Sequence, residues 1–181
     1  MRETAVRPTG IERTFRDDQI IVSKTDTKGL LTYVNQLFVD ISGYSEEFLL
    51  GKPHNVIRHP DMPRAVFKLL WDQISSGQEL FAYVMNMSAD GAHYWVLAHV
   101  TPTFDAHGTI LGYHSNRRTA SRSALDQVRP LYRALLDEEN RHPRTPEAIA
   151  ASTALLQRTL DEAGMTYDQF VWSLDKEEVS V

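Results

Sequence analysis

Apolar positions in this chain change period along its length. Two short apolar runs, Ile20–Val22 and Leu30–Val34, flank the stretch TDTKG. Such runs around turn-forming residues predict two strands. NQLFVDISGYS then predicts a short helix stopping near Gly43, and SEEFLLG a second, with Ser45 as N-cap and Gly51 as stop. In PRAVFKLLWDQISSG, residues Phe67, Leu70, Trp71 and Ile74 fall at helical spacing with Val66 nearby, which predicts a longer amphipathic helix closed by Gly77. From residue 79 the period becomes two. LFAYVMNMS, HYWVLAHVTPTF and TILGYHSNRR predict three strands, joined by hairpin turns at ADGA and DAHGT.

This order predicts an α+β domain over residues 15–120, with five antiparallel strands in one sheet and the short helices and the longer helix on one face. Residues 1–14 are mixed and polar, with Pro8 and Gly10, and are expected to be mobile. Residues 121–181 form a helical C-terminal extension. Leu125, Val128, Leu131, Tyr132 and Leu135 make one helical stripe, with Pro130 inside it expected to kink or divide the helix. RHPR ends that pattern. A further helix is expected with Thr145 as N-cap, Pro146 at its first position and Gly164 as its stop. TYDQFVWSL adds a last amphipathic piece, and residues 175–181 are expected to fray. Packing on the chain's own sheet and docking on a partner are both open to these helices.

Composition narrows the function. A net charge of −5 over 181 residues argues against a general binder of nucleic acid or anionic membrane. No apolar run approaches the roughly 18 residues of a membrane span, and the polar N-terminus does not resemble a signal peptide, so a soluble, cytoplasmic protein is expected. With no Cys in the chain, disulfides, thiolate catalysis, Cys-ligated metals and flavin–thiol photochemistry are excluded. No HExxH motif, phosphate loop or nucleophile elbow is present, and an enzyme is not expected.

Chemistry concentrates in HNVIRHPDMP, residues 54–63, a polar connection between apolar helices. Plain structural roles exist for its members. Asp61 stands where an N-cap would precede the longer helix, Arg58 and Asp61 suit a surface ion pair, and His59 before Pro60 suits an extended loop. Asn35 sits where a strand gives way to a helix and suits a cap. Asn86 interrupts a strand of Phe, Tyr, Val and Met, so it either faces water or needs an inward partner. Trp71 belongs to the apolar stripe. Tyr94 and Trp95 point to opposite faces of their strand, and only one of them can face a chamber.

Taken together, NQLFVDISGYS, GKPHNVIRHPDMP, the Trp eight residues after that last Pro, DGAHYWV and the GY of the last strand resemble the PAS domain of the Aer family of aerotaxis and redox receptors. The resemblance covers roughly residues 15–120, with an echo in VRPLYRALL. It implies a PAS fold and non-covalent FAD between sheet and helices, with FMN or haem as the lesser candidates. It also implies a redox or oxygen sensor of aerotaxis type, and Asn35, Arg58, His59, Asp61, Trp71 and Asn86 as cofactor-binding residues. Arg58 would offer a forked cation, His59 a hydrogen bond or stacking face, Asp61 an acceptor, and Asn86 an amide for the ring edge. A cofactor-free interaction module and a haem-based gas sensor are the alternatives. No receptor coiled coil, kinase or cyclase follows in this sequence. A sensor would then signal to a chemoreceptor or histidine-kinase-type protein, or through a homodimer. Two features depart from the expected pattern. Leu80 stands where relatives commonly carry a Trp. His114 and Asn116 also share one face of the last strand, where an apolar lining is expected if that face is the chamber's.

Overall fold

The computed structural model describes residues 6–174. The expected fraying of residues 175–181 lies outside the described residues, as do residues 1–5. Strands β1 (Ile21–Asp26) and β2 (Leu31–Val34) open the domain, followed by α1 (Gln36–Ser42), α2 (Glu46–Leu49), a 3₁₀ turn (His54–Ile57) and α3 (Arg64–Ser75). Strands β3 (Leu80–Met87), β4 (His93–Phe104) and β5 (Ile110–Thr119) complete one antiparallel sheet in the order β2-β1-β5-β4-β3. The expected α+β PAS architecture is the observed one.

Local chemistry accounts for the first turn of the fold. The Asn35 side chain accepts from Phe38 N at 3.1 Å and Val22 N at 3.0 Å, and donates to the Ile20 carbonyl at 2.8 Å. One amide thus caps α1 and ties it to β1. Gly43 ends α1 at φ +71°, a left-handed conformation open to Gly at no steric cost.

Helices α1–α3 cover one face of the sheet. The other face is covered by the extension, α4 (Arg122–Asn140), α5 (Thr145–Glu162) and α6 (Tyr167–Leu174). Leu125, Val128, Tyr132 and Leu135 of α4 are buried in the same core as the sheet. Trp95 on this outer face lies 6.2 Å from the Tyr132 ring, and Phe81 lies 4.8 Å from Trp172 of α6. Tyr94 faces the α1–α3 side. α5 packs against both α4 and α3. At that joint Glu139, 3% exposed, accepts from Ala65 N at 3.1 Å and Ser152 Oγ at 2.9 Å. Pro63 precedes α3 without a side-chain cap, so the extension supplies a partner for a free N–H of its first turn.

Four local expectations change. α4 runs unbroken through Pro130, because the stripe on either side of it is buried. α5 begins one residue early, with Arg144 in the cap position and no side-chain cap bond. Asp61 does not cap α3, which starts at Arg64. Finally, part of the segment expected to be mobile is tied down. Thr9 N donates to Gly91 O at 2.9 Å, and Ile11 and Arg13 exchange backbone bonds with His93 at 2.8 and 2.7 Å. The approach needs Gly91, since a Cβ there would meet Arg7 O at 2.1 Å.

The Tyr132 hydroxyl donates to Tyr83 O at 2.7 Å and lies 3.2 Å from the Tyr167 hydroxyl. Tyr132→Phe is expected to lower unfolding stability by about 1–3 kcal/mol through this buried bond. A urea midpoint equal to wild type would show that the bond does not hold α4 to the sheet.

Candidate functional site

The strands carry small side chains where they pass beneath α3. Ser23 of β1 pairs across from Ser115 of β5, and Ala98 of β4 from both Ala82 and Arg117. Larger residues at these positions would fill the space. A cavity of about 210 Å³ is left instead. Phe67, Leu70, Trp71 and Ile74 of α3 form its roof, with Val84 and Val100 among the apolar residues of the sheet side. Trp71 is 38% exposed, and a Cβ on Gly29 would touch its ring at 2.9 Å, which places this Trp at the mouth beside Gly29 and Lys28. The volume lies below the roughly 300–1,000 Å³ of pockets that enclose a whole drug-sized ligand. It suits one planar ring system.

Charge in the cavity runs against the charge of the chain. Among the described residues its lining holds Lys28, Arg58 and Arg117 and no Asp or Glu, in a protein of net charge −5. Arg117 is 3% exposed. Its Nη2 donates to Ser23 Oγ at 2.7 Å and to His54 Nε2, and the guanidinium lies 5.4 Å from the centre of the Phe38 ring. Burial lowers its pKa to about 10, so it stays a cation at neutral pH. Burial first, and Arg117 second, push His54 down to about 3. His54 is therefore neutral. Because arginine can only donate, His54 Nε2 is the acceptor and the ring proton belongs on Nδ1. Arg58 donates to Met62 O at 2.9 Å and sits 4.3 Å over the Phe67 ring, its pKa lowered mainly by burial.

Among the described residues, three buried polar atoms of this lining find no hydrogen-bond partner: Asn86 Nδ2, Ser115 Oγ and Arg117 Nη1. Buried polar groups are nearly always paired, by protein, water or ligand. All three groups can donate, so they match a ligand edge rich in acceptors.

Of the six residues expected to bind a cofactor, Arg58, Trp71 and Asn86 line the cavity. Asn35 does not; its amide is spent on the β1–α1 junction. His59 is buried but outside the lining, its ring 5.9 Å from His93 and its Nδ1 accepting from Asp61 N at 3.1 Å. The Asp61 side chain is 65% exposed and 3.9 Å from His59. Leu80 is buried and is not part of the lining. The face of β5 is the reverse of the one that would line a chamber with His114 and Asn116. These two lie on the outer face, 3.1 Å from each other, while Tyr113, Ser115 and Arg117 point inward. Arg117, Ser115, Ser23 and His54 were missed. The signal for Ser115 and Arg117 was the alternation of Tyr113, Ser115 and Arg117, once the parity of the strand is known.

Comparison with known proteins gives three findings. Residues 31–117 match the PAS fold family. The aerotaxis receptor of Escherichia coli strain K12 is 41% identical over 119 residues, which cover 66% of this chain and 23% of the receptor. The bacterioopsin transcriptional activator of Halobacterium salinarum is 26% identical over 125 residues, 66% of this chain and 18% of that protein. The chain thus spans about a quarter or less of these relatives. Among solved structures, one described as "Flavin Analogue Sheds Light on Light-Oxygen-Voltage Domain Mechanism" superposes with a TM-score of 0.53 at 18% identity, covering 68% of this chain and 87% of that one. At that identity the likeness is one of fold.

His54 generates a test. Its pKa falls from 6.5 to about 3 on folding, so below about pH 6.5 the unfolded chain takes up a proton that the folded protein refuses. Stability is then lost as pH falls through this window. Between about pH 7 and pH 5 wild type should lose about 2 kcal/mol more than His54→Gln, which does not titrate. Parallel stability curves for the two proteins would show His54 to be protonated in the fold.

Proposed function

The chain carries a PAS domain, and we propose that this domain is a cytoplasmic redox or oxygen sensor, not an enzyme, that holds FAD non-covalently and signals through protein contacts. The observation that carries the reading is the set of unpaired buried donors on Asn86, Ser115 and Arg117, gathered on one ring-sized apolar cavity. A flavin ring fits that chemistry. Its faces are apolar and suit Phe67, Leu70, Trp71 and Val84. Its polar edge offers carbonyl and ring-nitrogen acceptors to the unpaired donors. The cavity takes the ring alone, so a sugar-phosphate tail leaves through the mouth, where Lys28 supplies positive charge. When bound, the flavin would supply reversible electron uptake; the chain holds, orients and shields it.

Of the residues expected from the sequence, Arg58, Trp71 and Asn86 keep a direct role. His59 and Asp61 act by shaping the loop that carries Arg58, and Asn35 by fixing the β1–α1 junction. Similarity to an aerotaxis receptor supports a role in energy taxis, with a chemoreceptor or histidine-kinase-type protein as partner and a homodimer as the working unit. No helix among the described residues is long and apolar enough to cross a membrane, which is compatible with a cytoplasmic sensor.

An absorption spectrum of the purified protein tests the reading. The two visible bands of oxidised flavin are expected, and chromatography of the released cofactor should identify FAD. A Soret band would instead make the domain a haem protein, and a featureless spectrum that added flavin does not change would make it an interaction module. Asn86→Ala, which removes one buried donor, should weaken flavin retention about tenfold. Retention equal to wild type would remove Asn86 from the site.

A further inference from the structure

The inner end of the cavity is distinguished by a cation with no counter-charge among the described residues. Around Arg117 stand Ser23 on β1, Phe38 on α1, His54 on the 3₁₀ turn, Tyr94 and Ala98 on β4 and Ser115 on β5. None is a carboxylate, and among the described residues Arg117 makes no salt bridge. His54 is neutral well above about pH 3, and burial raises the Tyr94 phenol far above its ordinary range. Two of the guanidinium's hydrogen bonds go to neutral groups and Nη1 has none. An unpaired charge in such a place is costly, by several kcal/mol in general, and an anion beside it removes part of that cost.

We propose that Arg117 makes the inner end of the cavity selective for a ligand edge that is or becomes anionic. Resting on the flavin reading above, the site then binds the reduced ring with N1 unprotonated more tightly than the neutral oxidised ring. In balance, the oxidised ring takes two electrons from an external donor and one proton, at N5. The second proton, which free reduced flavin accepts at N1 in mildly acidic water, is kept off by the guanidinium. Arg117 is thereby a determinant of redox poise as well as of binding.

The test is a redox titration of the flavin-loaded full chain with dithionite and a reference dye, at several values between about pH 5 and 6. Neither His54 nor Arg117 changes charge in that window. One proton per two electrons changes the equilibrium tenfold per pH unit, so the midpoint should fall by about 30 mV per unit. Two protons would give a hundredfold change, about 59 mV. Arg117→Gln should move the slope toward the steeper value and lower the midpoint by at least about 30 mV, a tenfold loss of preference for the reduced ring. Arg117→Lys, which keeps the charge, should retain the shallow slope. A wild-type slope near 59 mV, or a Gln variant with the wild-type slope and midpoint, overturns the inference and leaves flavin binding standing. Should Arg117→Gln hold no flavin, the wild-type slope alone decides. A wild-type protein that takes up no flavin overturns the flavin reading, and this inference with it.

Discussion

A guanidinium buried at 3% exposure, with no carboxylate beside it among the described residues, is the constraint around which this domain is arranged. Taking such a charge out of water carries a large penalty, which neutral hydrogen bonds repay only in part. The chain meets the constraint with Ser23 Oγ, with a histidine held neutral by the same burial, and with the face of Phe38. Each of these choices shapes the site. Ser23 and its cross-strand partner Ser115 are small, so a hollow remains beside them. His54 accepts at Nε2, which fixes its proton on Nδ1. The 3₁₀ turn that carries His54 leads directly into Arg58. Stability alone would be served better by an apolar side chain at position 117, and the departure from that rule is what marks the cavity as the candidate site.

The elements themselves were legible because local chemistry and period agree. Asn35 and Ser45 cap their helices as their types and positions suggest, and the Gly-containing turns sit between strands of period two. Pro130 does not divide its helix. Its missing N–H and ring disfavour a helix interior by about 3 kcal/mol or more. Leu125, Val128, Tyr132 and Leu135 are buried on either side of it, and that packing outweighs the local cost.

The site was legible only in part, for a geometric reason. On a helix, Trp71 is placed by the spacing of its neighbours. On β3, Asn86 is conspicuous because its neighbours are apolar. On β5 the period is equally plain, yet parity decides everything: one choice lines the cavity with His114 and Asn116, the other with Ser115 and Arg117. Both faces mix polar with apolar residues, so nothing local breaks the tie. It is broken by pairing, since Ser23 lies opposite Ser115 and Ala98 opposite Arg117, leaving room for a long cation inside the sheet. The loop failed differently. Neighbours in sequence were grouped as one ligand set, although Arg58 turns toward Phe67, His59 toward His93 and Asp61 toward solvent.

The same arrangement offers a route from cavity to extension. α3 roofs the cavity with Phe67, Leu70, Trp71 and Ile74, and its first turn is held by Glu139 from the end of α4. Arg58 touches both ends of this connection, donating to Met62 O just before α3 and stacking on Phe67 within it. A ligand that draws Arg58 or the α3 roof inward must therefore also load the Glu139 joint, where α3, α4 and α5 meet. Such a shift favours one docking of the extension only if the ligand's two states differ in their interaction energy with the cavity. A charge that appears beside a buried, unpaired guanidinium supplies a difference of that kind. A neutral change at the apolar roof would supply much less, because dispersion contacts vary little with the oxidation state of a ring. α3, which roofs the cavity and has its first turn held by Glu139, is the element that links the cavity to the extension.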